Sequence, residues 1–154
     1  MVRSNLVLRN NDLKDYGYIF KPFNPPTSNQ SLKIMMIDDN PKDIRLFEEL
    51  LALDTMLNFS LSKWNNSHKA IEALEHHRVD IDLIVLDLLM PCMNGKMILK
   101  RLKETTNLKN IPVVIYSSMH NYENAIALNQ LEAHAFFAKP LDAESFEAFI
   151  SGKS

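Results

Sequence analysis

The chain contains a single cysteine, Cys92, and three glycines among its 154 residues. One cysteine excludes an intramolecular disulfide framework and favours a reducing compartment, so a cytoplasmic location is expected. No glycine-rich turn follows the first apolar run, which disfavours a dinucleotide-binding domain. No apolar stretch approaches the length of a membrane span, and the N-terminus lacks the apolar core of a signal peptide. Strong charge is also missing. The formal net charge is -2, which offers no electrostatic case for nucleic acid as a partner. The length fits one domain with its own core.

Residues 1–31 differ from the rest. Asn and Asp are frequent, and the segment ends in Pro22, Pro25, Pro26 and a run of Thr, Ser, Asn and Gln. That cluster reads as an extension or linker preceding a domain at 32–154. The aromatics before it, Tyr16, Tyr18, Phe20 and Phe23, are expected to touch the domain surface as part of a partly ordered tail.

From Leu32 the pattern is regular. Ile34-Met35-Met36-Ile37 is an apolar run that stops at Asp38-Asp39. Asn40 and Pro41 then suit a helix N-cap and first turn, followed by Ile44, Phe47, Leu50 and Leu51 at helical spacing. Phe59 and Leu61 alternate with serines, as in an edge strand, and Ser67 can cap the next helix. A further strand is expected over 81–86, where the apolar run Leu83-Ile84-Val85-Leu86 stops at Asp87 and is followed by a turn at 91–95. Met97, Ile98 and Leu102 mark a helix. The run 111–116 stops at Ser117, and Asn121 can cap the helix after it. Ala135-Phe136-Phe137-Ala138 stops at Lys139-Pro140, and Asp142 caps a last helix burying Phe146, Phe149 and Ile150.

Five alternating βα units predict a doubly wound α/β fold with a five-stranded parallel sheet. In such a sheet the C-terminal strand ends share one edge, where ligands bind. Asp38, Asp39, Asp87, Ser117 and Lys139 each follow a strand, so the fold gathers them although they are distant in sequence. Taken singly, each reads as a cap, turn or solvated loop residue. Taken together they form a site.

Three close carboxylates repel one another, and a hard divalent cation relieves that repulsion. Mg2+ favours oxygen ligands, retains waters and needs one or two carboxylates plus a phosphate. The set therefore suits Mg2+-assisted phosphoryl transfer to Asp87, with Lys139 and Ser117 facing the transferring oxygens.

These motifs carry a family resemblance. Ile37-Asp38-Asp39-Asn40, Leu86-Asp87-Leu88-Leu89-Met90-Pro91 with Gly95, Pro112 through Ser118, and Ala138-Lys139-Pro140 together resemble a response regulator receiver domain. The resemblance implies a CheY-like, flavodoxin-like fold with strand order 2-1-3-4-5. It implies that Asp87 is the phosphoacceptor, and that Asp38, Asp39, Asp87 and the Leu89 backbone carbonyl hold Mg2+. Ser117 would be the switch hydroxyl, Lys139 the phosphate-binding lysine and Phe136 the switch aromatic. Residues 39–45 and 107–112 are also similar to stand-alone, phytochrome-associated regulators. The implied partners are a sensor histidine kinase or phosphotransfer protein, an unnamed downstream protein, and a second copy through residues 121–139. No effector segment is expected after Ile150. Such a protein is a switch that catalyses only its own phosphorylation and dephosphorylation.

Two other classes compete. A degenerate receiver that binds partners without phosphorylation is disfavoured by the intact acids, hydroxyl and lysine. An aspartyl phosphatase would place a second acid two residues after the nucleophile, where this chain has Leu89. The histidines show no ligand spacing, and His76 and His77, being adjacent, do not share a helix face. Cys92 has no recognisable base partner.

Overall fold

A computed structural model of the chain describes residues 17–26, 30–54, 57–76, 80–90, 94–118 and 122–152. Six strands and five helices are formed among them. In chain order they are β1 (Gly17–Ile19), β2 (Leu32–Ile37), α1 (Pro41–Ala52), β3 (Phe59–Trp64), α2 (Ser67–His76) and β4 (Leu83–Asp87). Then come α3 (Gly95–Glu104), β5 (Val113–Ser117), α4 (Tyr122–Gln130), β6 (Ala135–Ala138) and α5 (Ala143–Ile150).

The strands form one sheet in the order β1-β6-β5-β4-β2-β3. From β3 to β6 every pairing is parallel, and this is the expected five-strand order. The family fold is therefore the flavodoxin-like one, with a sixth strand added.

That sixth strand corrects the reading of the N-terminal segment. Gly17–Ile19 pairs antiparallel with β6, placing Gly17 opposite Phe137, Tyr18 opposite Phe136 and Ile19 opposite Ala135. The amides of Phe20 and Lys21 both donate to the His134 carbonyl, at 2.8 and 3.1 Å. Tyr18, Ile19, Phe20 and Phe23 are all buried. Residues 17–23 are thus an edge strand and strap packed into the domain rather than a tail resting on it. Gly17 has φ +150, and a Cβ there would overlap the Phe136 carbonyl, so only glycine permits this close pairing.

The apolar runs explain the layers. Alternate strand residues point to opposite faces. Met35, Ile37, Ile84, Leu86, Ile115 and Phe136 pack with residues of α2, α3 and α4 on one side. Ile34, Met36, Val85, Val114, Tyr116 and Phe137 pack with α1 and α5 on the other. The strap follows the same alternation, Tyr18 and Phe20 joining the first core and Ile19 and Phe23 the second.

The helix starts follow the expected chemistry with one change. Asn40 accepts from the Lys42 amide with Pro41 in the first turn, and Asp142 accepts from the Ser145 amide. At α2 the cap is Asn66, whose side chain accepts from the Lys69 amide at 3.0 Å. Ser67 is instead the first helical residue and is buried. Asn121, Cys92, His77 and His120 lie outside the described residues.

Candidate functional site

Parallel pairing brings the polar strand ends to one edge. Asp38 and Asp39 follow β2, Asp87 ends β4, Ser117 ends β5 and Lys139 follows β6. The register sets Ile37 beside Leu86, Asp87 beside Tyr116, and Ser117 beside Ala138. Gly95 lets α3 start directly against the end of β4, because a Cβ there would overlap the Asp87 carbonyl.

Asp38 and Asp87 are buried, while Asp39 is exposed at the mouth. One carboxylate oxygen from each of the three acids lies within 4.8 Å of the others. The Asp38 side chain accepts from the Asn40 amide at 2.9 Å. The Leu89 amide donates to Asp87 Oδ1 at 3.4 Å, and the Leu89 side chain is half exposed.

Lys139 Nζ lies 2.7 Å from Asp38 Oδ2, 2.8 Å from Asp43 Oδ2 and 3.4 Å from Asp87 Oδ1. It sits 5.3 Å from the centre of the Tyr116 ring. The Lys139 amide donates to the Ser117 carbonyl at 2.9 Å, which ties the lysine loop to the end of β5. The Tyr116 hydroxyl accepts from the Leu141 amide at 2.9 Å and fixes the chain after Pro140.

The electrostatics follow from burial. Desolvation, then the neighbouring Asp38 charge, pushes Asp87 up to about 6. Asp38 is also raised, mainly by burial, against the pull of Lys139. Burial pulls Lys139 down, but its pairs with Asp38 and Asp43 outweigh this and hold it above the ordinary lysine value. Lys139 thus only partly offsets the negative charge of the cluster. An all-oxygen donor set with uncancelled charge and one exposed member fits a small hard cation that keeps part of its water.

Asp38, Asp39, Asp87 and Lys139 are brought into one cluster, and Ser117 adjoins it through the sheet. Phe136 is not in the cluster. It is fully buried in the core, and the Tyr18 ring lies 6.3 Å from it, centre to centre. From sequence, Asp43 and Tyr116 have no part in the site, and Tyr18 has only a contact with the domain surface. Asp43 carries only the signal of an acid in a first helical turn, a common complement to the helix dipole. Its pairing with Lys139 spans 96 positions of chain.

Residues 34–151 match the family model described as the response regulator receiver domain. The chain belongs to the receiver family. Response regulator Rcp1 of Synechocystis is 27% identical over 130 residues, covering 81% of this chain and 88% of Rcp1. The two-component response regulator ARR3 of Arabidopsis thaliana is 29% identical over 126 residues, covering 76% of this receiver but 53% of ARR3. This receiver therefore spans about half the length of that relative. Among solved structures, the phosphorylated cyanobacterial phytochrome response regulator RcpA aligns with a TM-score of 0.69 at 26% identity. It covers 81% of this chain and 97% of RcpA. A Mn2+-bound form of Rcp1 aligns with a TM-score of 0.65 at 26% identity, covering 78% and 90%. Receiver domains are signalling switches of two-component systems rather than enzymes in the usual sense, and they bind Mg2+ or Mn2+ in an acidic pocket. They act with histidine kinases or phosphotransfer proteins and with downstream targets. Among the described residues, no helix is long and apolar enough to cross a membrane.

Proposed function

We propose that this receiver accepts a phosphoryl group on Asp87 from a sensor histidine kinase or phosphotransfer protein. The observation that carries this reading is the buried Asp87 carboxylate, 3.4 Å from Lys139 Nζ and clustered with Asp38 and Asp39. An Asp87 oxygen attacks the phosphorus of a phosphohistidine. The P–N bond breaks, and the imidazole leaves with its electron pair and takes up a proton. Lys139 offers an N–H to one phosphoryl oxygen, and the Ser117 hydroxyl donates to another. Mg2+, held by Asp38, Asp39, Asp87 and the Leu89 carbonyl, would cancel charge on the transferring oxygens when bound.

The phosphoryl group adds charge and strong acceptors beside β5. Ser117 then moves toward it, and Phe136 shifts into the space released. The surface around α4, beside the β1 strap that covers the edge of β6, changes its preferred partner, either a downstream protein or a second copy. Kinship with Rcp1 and RcpA makes a phytochrome-type histidine kinase the first donor to try. The unit that switches is residues 17–152, because the strap shares the core of residues 32–152.

Incubation with acetyl phosphate and Mg2+, followed by intact mass measurement, tests the reading. The wild type should gain one phosphoryl group. Asp87→Asn, and the wild type in chelator, should gain none. Full labelling of Asp87→Asn would overturn the assignment.

A further inference from the structure

Lys139 is held by an acid outside the trio that clusters at the strand ends. Its ammonium has three N–H donors. Asp38 and Asp43 take two of them at 2.7 and 2.8 Å, which leaves the third for Asp87 at 3.4 Å. Asp43 is not among the three clustered acids. It projects from the first turn of α1, where its amide donates to the Asn40 carbonyl at 3.1 Å.

We propose that Asp43 is the positioning residue for Lys139. The inference rests on Asp87 being the phosphoacceptor. A lysine is a point charge on a flexible stem, and one ion pair leaves that stem free to swing. Asp38 faces two demands, because its carboxylate lies both on Lys139 and in the acidic trio. With Asp38 committed to a cation, Asp43 would be the acid left to keep the ammonium aimed at Asp87. The Tyr116 ring supports Lys139, and Phe47 of α1 lies 5.4 Å from that ring. The lysine is therefore fixed by an aromatic floor and an acid that both belong to the α1 side of the sheet. Asp43 touches no reacting atom; it acts through Lys139.

Asp43→Ala and Asp43→Asn in the full chain test this with two readouts. The first is the lysine ammonium signal in 15N-lysine NMR, assigned with Lys139→Arg. In the wild type the Lys139 ammonium should exchange slowly enough to be seen. It should be lost in Asp43→Ala and weakened in Asp43→Asn, whose amide oxygen still accepts but carries no charge. The second is phosphorylation by acetyl phosphate at saturating Mg2+. The maximal rate should fall about tenfold in Asp43→Ala, with Asn intermediate and the half-saturating donor concentration unchanged. An unchanged Lys139 signal, or a rate within twofold of wild type, overturns the proposal. If the wild type takes up no phosphoryl group, the phosphoacceptor reading fails instead. The ammonium signal then still decides whether Asp43 holds Lys139.

Discussion

Tyr18 faces Phe136 across the β1–β6 pairing, and the Tyr18 ring lies 6.3 Å from that of Phe136, centre to centre. The aromatic proposed to shift on phosphorylation is therefore roofed by the N-terminal strap. Burying four large side chains stabilises the strap by several times about 1.5 kcal/mol, so it moves with β6 rather than detaching.

The strap should behave as core. Phe23 is 2% exposed and packs on Phe149 at 5.6 Å between ring centres. Phe23→Ala should cost about 3–5 kcal/mol, measured from urea unfolding. Gly17→Val should also destabilise, because its Cβ meets backbone rather than a yielding side chain. A cost below about 0.5 kcal/mol for Phe23→Ala would mean a loosely held tail.

His134 should impose a pH dependence on stability. Burial, aided by Lys103 and Lys21, lowers its pKa from 6.5 to about 4. Its Nδ1 is buried without a hydrogen-bond partner among the described residues. The unfolded chain binds this proton below pH 6.5 and the folded chain does not. Stability is thus complete above that pH and is lost as pH falls toward 4. Between pH 7 and 5 the wild type should lose about 1–2 kcal/mol more than His134→Gln. Parallel urea titrations at the two pH values would show this, and equal losses would refute it.

Asp87 should destabilise the cation-free fold. Its folded value, about 6, lies above the ordinary 3.8, so the folded state holds this proton more tightly than the unfolded chain. The cost of ionising it appears between those values and is complete above pH 6. In chelator at pH 7.5, Asp87→Asn should be more stable than wild type by about 1–3 kcal/mol, with the gain vanishing near pH 4. A less stable variant at pH 7.5 would contradict the charge argument.

Asp39 separates cation binding from folding. It is exposed, so Asp39→Asn should change stability by less than about 0.5 kcal/mol without Mg2+. The rise in Tm that Mg2+ gives the wild type should largely disappear in the variant. Calorimetric titration should show the same weakening. A full Mg2+ response in Asp39→Asn would remove it from the ligand set.

Much of the receiver was legible because its signals are local. Each apolar run stops at a polar residue, and Asn40, Pro41 and Asp142 mark helix starts through caps that span a few residues. These patterns determined five βα units, and parallel topology then required Asp38, Asp87, Ser117 and Lys139 to share an edge. The sixth strand left no such mark. Gly17–Ile19 is too short for a periodic signal, and its pairing depends on an uncovered β6 edge more than 100 positions away. Asp43 was hidden for the same reason. Within its helix it reads as a dipole complement, and only packing α1 against the strand ends brings it to Lys139. Residue type and local order determined which groups reach the site; long-range packing decided which acid holds the lysine and which strand covers Phe136.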